Sequence, residues 1–217
     1  MRNGRKHVQI IDFRHRPHTL NKSDKTLIIS ALENESVIVY PTDTLYGLGA
    51  DVRSESAIET LYRLKSRADS PVSVLAESVD SLIEMSKDLN DKALELIQTF
   101  LPGPMTVICH TEYPFNERLF SNKRTIGFRV PGDDISRQIP RLLGRPVTTT
   151  SVNPVGEKPA ASVENVRAYY AESIPLMLDV GALKQSAGST VMDLTSQPFN
   201  ILREGEISRL ELQEFLN

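Results

Sequence analysis

Short apolar runs rich in β-branched residues alternate along this chain with longer stretches whose apolar positions recur at helical spacing. The pattern predicts a short strand around Val8 to Phe13, then a helix over 23–34 capped by Ser23. Val37 to Tyr40 reads as a buried strand, stopped by Pro41, which cannot donate to a ladder. Ser54 caps a helix that puts Ile58, Leu61, Tyr62 and Leu64 on one face and runs into Lys65 and Arg67. Val72 to Ala76 is a strand, and helices follow near 79–86 and 91–100. Leu101, Pro102, Gly103 and Pro104 form a firm break. Met105 to His110 and Thr125 to Val130 read as strands. Ile135 to Leu143 reads as a helix bent or shortened at Pro140. Pro146 to Ser151 is a strand, and Ser162 caps a helix to Tyr170. Leu176 to Val180, Thr190 to Leu194 and Asn200 to Arg203 are strands, and Ser208 starts a closing helix.

Strands interleaved with helices give an α/β class. Some strands follow each other directly, so the sheet is expected to be mixed. Residues 1–22 are polar and read as an N-terminal arm, and 23–217 as one domain.

A formal net charge of -3 argues against bulk electrostatic binding of nucleic acid, but leaves room for a local cationic pocket. One Cys excludes an intrachain disulfide and suits a reducing compartment. No run is long and apolar enough to span a membrane, and no apolar signal core follows the basic first residues. The expectation is a cytoplasmic protein with no membrane contact.

The stretch from Val37 to Gly49 holds the most specific chemistry. Thr42, Asp43 and Thr44 follow the strand stop, where α/β sheets bind ligands. Gly47 and Gly49 allow a bend or a close approach. Four cations adjoin strand ends or small polar residues: Lys65, Arg67, Arg129 and Arg203. Each could pair with a structural carboxylate or face solvent; together they could line a pocket for phosphate and carboxylate. Ser151 and Asn153 lie two apart, hence on one side of an extended backbone. Gly188, Ser189 and Thr190 are a similar small polar set. Cys109 beside His110 is a poor nucleophile–base pair, because strand neighbours face opposite ways. His7, Asp12, His15 and His18 fit no regular metal pattern.

Tyr40 to Gly49 resembles the signature of the YrdC-like threonylcarbamoyl-AMP synthase family, Y-P-T-[DE]-T-x-Y-G-L-G. Further segments resemble that family in order: Lys65-x-Arg67, Leu101 to Thr106, Arg129 to Pro131, Thr150 to Asn153, Ser189 to Asp193, and Leu202 to Gly205. The likeness covers about residues 25–207. This chain has three residues between Arg67 and Pro71 where the family commonly has four. Asp133 stands where many members have His, and Val152 and Val155 replace Ala and Ser. The run from Lys123 to Pro131 also resembles the YciO-like branch.

The resemblance implies a single twisted sheet, largely mixed or antiparallel, with flanking helices and a concave ligand face. It implies synthesis of threonylcarbamoyl-AMP from L-threonine, bicarbonate or CO2, and ATP, with Mg²⁺ on the leaving pyrophosphate. Partner enzymes downstream would use the product to modify tRNA adenosine. By the same resemblance Lys65 and Arg67 are catalytic. Thr42, Thr44, Tyr46, Arg129, Ser189 and Thr190 bind substrate, and Ser151, Asn153 and Arg203 bind ATP. Arg129 faces either the threonine carboxylate or a phosphate. The alternative is a YciO-like RNA-binding or regulatory protein using the same cationic concavity.

Overall fold

The structure, a computed structural model, describes residues 8–66, 71–121 and 123–216. Along the chain run β1 (Gln9–Asp12), α1 (Lys22–Glu33), β2 (Ile38–Tyr40), β3 (Gly47–Gly49), α2 (Glu55–Leu64) and β4 (Ser73–Leu75). Next come α3 (Val79–Met85), α4 (Asp91–Phe100), β5 (Met105–His110), β6 (Thr125–Arg129), α5 (Asp134–Leu143) and β7 (Val147–Ser151). The chain closes with α6 (Val163–Tyr170), β8 (Leu176–Asp179), β9 (Thr190–Asp193) and β10 (Asn200–Arg203).

Among the described residues the strands form one sheet in the order β1-β8-β2-β3-β7-β4-β6-β5-β9-β10. β1–β8, β2–β8, β4–β6 and β5–β9 are parallel pairs, and the other five neighbours are antiparallel. The mixed sheet with flanking helices agrees with the expected class.

Strand alternation sends residues to two cores. Val39, Val74, Val107, Phe128 and Met177 join one core with Ile58 and Leu61 of α2, Leu96 of α4 and Val166 of α6. Ile38, Tyr40, Leu75, Val147 and Leu176 face the other, with Ile28 and Leu32 of α1 and Ile135 and Ile139 of α5. Helices α1 and α5 cover only part of this second face. Ser73, Gly127, Arg129, Thr149 and Ser151 share its strand parity and line a cavity instead.

Three local expectations are corrected. Asn21, not Ser23, caps α1, in a reciprocal capping box with Asp24. Gly47 to Gly49 form a strand, not just a bend, because a Cβ on either glycine would press on the Tyr40 ring, at 3.2 and 2.8 Å. Their bare backbone lets β3 lie against β2. After Ser208 the chain makes turns and a single 3-10 turn, Gln213–Phe215, where a closing helix was expected. Pro140 sits in the last turn of α5, which ends at Gly144 in the left-handed region.

Candidate active site

The strand ends β3, β7, β4, β6 and β5 and the loops before β9 enclose a cavity of about 790 Å³. That lies in the usual range for small-molecule sites. Lys65, Arg129 and Arg203 line it, with hydroxyls from Thr44, Ser73, Thr106, Ser151 and Ser189; no carboxylate is among the described lining residues.

Lys65 ends α2 and is only 3 % exposed. Its Nζ donates to the Ser151 carbonyl at 2.6 Å and the Asn153 carbonyl at 2.5 Å. These bonds tie the helix end to the exit of β7 and fix a positive charge at the cavity wall. Asn153 donates through Nδ2 to the carbonyls of Pro154 and Glu157, at 3.0 and 2.8 Å. Its Oδ1 is buried without a hydrogen-bond partner among the described residues.

Arg129 ends β6 and its side chain is 11 % exposed. Nη2 donates to Asp43 Oδ1 at 2.9 Å and to Thr44 Oγ1 at 3.2 Å. The Gly132 amide donates to Asp43 Oδ2 at 2.9 Å, so one carboxylate ties the first motif to the turn after β6. Arg129 Nε is buried and unpartnered among the described residues. A buried donor left unpaired costs about 1–3 kcal/mol.

Arg203, on the edge strand β10, donates from Nε and Nη2 to the Ser189 carbonyl at 3.2 and 2.7 Å, and from Nη2 to Ser189 Oγ at 3.1 Å. Ser189 Oγ lies 2.8 Å from Thr106 Oγ1. Burial, and then the charge of Arg129, lower the Arg203 guanidinium from its ordinary value. Two cations facing one cavity, with no carboxylate among its described lining residues, make an environment that an anion relieves.

Of the expected site residues, Thr44, Tyr46, Lys65, Arg129, Ser151, Asn153, Ser189 and Arg203 all border this cavity. Thr42 and Thr190 do not. Thr42 Oγ1 donates to the Leu45 carbonyl at 2.7 Å and accepts from the amides of Thr44 and Leu45, closing the turn. Thr190 Oγ1 donates to the Ile207 carbonyl at 2.6 Å and accepts from the amides of Gly205 and Ile207. Tyr46 turns its hydroxyl away, donating to the Gly181 carbonyl at 2.7 Å. Arg67 lies outside the described residues.

Sequence reasoning placed Asp43 at a ligand-binding strand end but gave it no role, and it did not single out Ser73, Gly127 or Thr106 as site residues. Asp43 could have been found as a carboxylate within a motif that needs an Arg partner. Ser73, Gly127 and Thr106 become floor residues only through strand register. A Cβ on Gly127 would stand 2.5 Å from Ser73 Oγ. Cys109 is buried, and burial pushes its thiol up to about 12, as an inert core Cys should be.

A family model named Sua5_yciO_yrdC and described as Telomere recombination matches residues 30–205. The chain belongs to the Sua5/YciO/YrdC family. Its relatives in this family include a threonylcarbamoyl-AMP synthase of Yersinia enterocolitica, 30% identical over 160 residues, covering 72% of this chain and 84% of the relative. A Mycobacterium tuberculosis protein carrying that name provisionally is 32% identical over 189 residues, 87% of each chain. Among solved structures, Pyrococcus abyssi Sua5 complexed with L-threonine superposes with a TM-score of 0.88 at 25% identity, covering 97% of this chain. This chain spans only 61% of that longer protein. Escherichia coli YciO matches with a TM-score of 0.84 at 25% identity, over 93% of this chain and 98% of YciO. Among the described residues, no helix is long and apolar enough to cross a membrane.

Proposed function

We propose that this protein is an L-threonylcarbamoyladenylate synthase, a nucleotidyltransferase using L-threonine, bicarbonate or CO2, and ATP. The observation that carries this reading is the cation-lined cavity, with no carboxylate among its described lining residues, in a fold whose Pyrococcus abyssi member is solved with L-threonine. ATP is an anion and threonine carries a carboxylate, and the cavity's described charged lining is cationic.

Chemically, the threonine amine adds to CO2, loses a proton and becomes a carbamate. A carbamate oxygen then bonds to the α-phosphorus of ATP as the bond to pyrophosphate breaks. This requires neighbouring groups held in place and fixed positive charge where negative charge spreads; it requires no covalent enzyme intermediate. Lys65 and Arg67 are assigned to the reacting groups. Thr44, Tyr46, Arg129 and Ser189 form the threonine side, with Thr42 and Thr190 holding its backbone from behind. Ser151, Asn153 and Arg203 are assigned to ATP, with Asn153 Oδ1 offering an acceptor to a ligand N–H. The described lining residues offer no carboxylate for a Mg²⁺ cage. Mg²⁺ is therefore assigned to the nucleotide's own phosphates, and no step is routed through it. The product would pass to tRNA-modifying partner enzymes.

Pyrophosphate release from ATP, with threonine and bicarbonate each omitted in turn, tests the reading. Release that needs both supports the synthase. No release, with retention of RNA on the protein, supports the RNA-binding alternative.

A further inference from the structure

Within the stretch read as an N-terminal arm, the expected strand at Val8 to Phe13 forms as β1 and joins the sheet. β1 pairs in parallel with β8, and the Phe13 amide donates to the Asp179 carbonyl at 2.7 Å. Phe13 is buried, and the Arg16 guanidinium lies 4.1 Å from its ring centre. Arg16 also pairs with Asp24 of the α1 capping box at 2.8 Å. Between these anchors, Arg14 reaches over the end of β8.

Asp179 is the last residue of β8, and its side chain is only 4 % exposed. A carboxylate so buried needs a partner. Among the described residues, the cation that reaches it is Arg14, whose Nε lies 3.5 Å from Oδ2. Arg14 is itself aimed by a fork onto Asp12, with bonds of 2.6 to 3.2 Å. The other oxygen of Asp179 faces Gly181 and Tyr46. Oδ1 accepts from the Gly181 amide at 2.8 Å and lies 3.4 Å from the Tyr46 hydroxyl. That hydroxyl donates to the Gly181 carbonyl and accepts from the Val180 amide at 3.1 Å. A chain of contacts thus runs from Arg14 through Asp179 to Tyr46 and to the start of the irregular segment 181–189. Tyr46 is cavity wall, and so are Ala187, Gly188 and Ser189 at the far end of that segment. The far end has its own clamp, Glu206, which accepts from Ser186 Oγ and the Ala187 amide at 2.7 Å each. Arg14 and Asp179 therefore hold the near end of a wall that Glu206 holds at the other.

We propose that Arg14 and Asp179 are positioning residues for the threonine side of the cavity, acting through Tyr46 and segment 181–189. This rests on the synthase reading only for its kinetic readout. Neither residue touches substrate. Arg14 keeps Asp179 oriented, and Asp179 keeps the Tyr46 hydroxyl and the Gly181 amide in register with the floor.

The test uses the full chain with Arg14→Met, Arg14→Lys and Tyr46→Phe. Arg14→Met should raise the KM for threonine by about threefold to thirtyfold with kcat little changed, the size expected for loss of a coupling contact away from the ligand. Arg14→Lys should recover part of it. Amide hydrogen exchange should speed up within 181–189 and stay unchanged in the core helices. If Arg14→Met does not fold, Tyr46→Phe takes its place, because it removes only the hydroxyl and should show the same local exchange. Unchanged KM and unchanged exchange in 181–189, even with a lower melting temperature, would overturn the proposal and leave a purely structural pair. If the wild-type protein shows no turnover, the synthase reading fails, while exchange in 181–189 still decides the clamp.

Discussion

Arg129 presents its charge to the cavity because Asp43 grips one side of its guanidinium and Thr44 accepts from the same nitrogen. Asp43→Asn keeps an acceptor but removes the charge that sets the guanidinium's plane. We expect kcat/KM to fall about a hundredfold, the cost of misplacing a reacting partner by about an ångström, with Asp43→Glu less impaired. Wild-type kcat/KM in Asp43→Asn would mean that Arg129 is held by the strand alone. Lys65 differs from an ordinary helix-end cation, which is worth only about 0.3–1 kcal/mol. It is buried and bonds two carbonyls at the exit of β7. Lys65→Met should therefore lower stability as well as turnover. The expected losses are about 1–3 kcal/mol in chemical denaturation, for the carbonyls left without their charged donor, and about a hundredfold in turnover. Loss of turnover without loss of stability would place the two carbonyl bonds outside the fold's energetics.

At the scale of elements, most strands and helices were legible because apolar period and caps agreed. Ser54 and Ser162 cap α2 and α6 where expected. β3 was not legible: Gly-Leu-Gly carries weak strand propensity, and it pairs because Tyr40 lies beneath the two missing side chains. Gly49→Ala should consequently cost about 1–3 kcal/mol by overpacking, read as a shift in denaturation midpoint. No change in midpoint would show that β2 and β3 can separate freely. The segment after Ser208 stays irregular although its sequence offers a cap, since of its described residues only Leu212 and Phe215 are buried, with Leu216 partly packed on the core.

Asp133 caps α5 by accepting from the Ser136 amide at 2.8 Å. Burial raises its carboxyl above the ordinary carboxylate range, Asp43 adds to the rise, and the Ser136 hydrogen bonds oppose it. A raised acid binds its proton more tightly folded than unfolded. Its contribution to stability is thus full below the ordinary carboxylate range and is lost as pH rises through the folded value. Asp133→Asn keeps a good cap and removes the buried charge. Its melting temperature should exceed that of the wild type near about pH 7 and lose that advantage near about pH 3. An advantage that does not change with pH would contradict the assignment.

At the scale of the whole molecule, the site exists only because distant segments meet across one sheet. Thr44, Lys65, Thr106, Arg129, Ser151 and Arg203 come from six separate parts of the chain. Motif order could mark those parts, but not which side chains share the open face. That depends on register: Thr106 lies opposite Arg129 between β5 and β6, and Ser73 opposite Thr149 between β4 and β7. The net charge of -3 likewise hides a cavity whose described charged lining residues are all cations. The partial cover of the second face by α1 and α5 leaves that floor open, and no sequence period announces where a helix layer stops.

The central claim is that this cavity joins threonine, CO2 and AMP in one product. The most direct measurement supplies isotopically labelled bicarbonate and labelled threonine with ATP, and compares the label in the nucleotide product with the pyrophosphate released. The account predicts both labels in one adenylate, in equal amounts and equal to pyrophosphate. Pyrophosphate accompanied by threonine label but no bicarbonate label, or by neither, would contradict it.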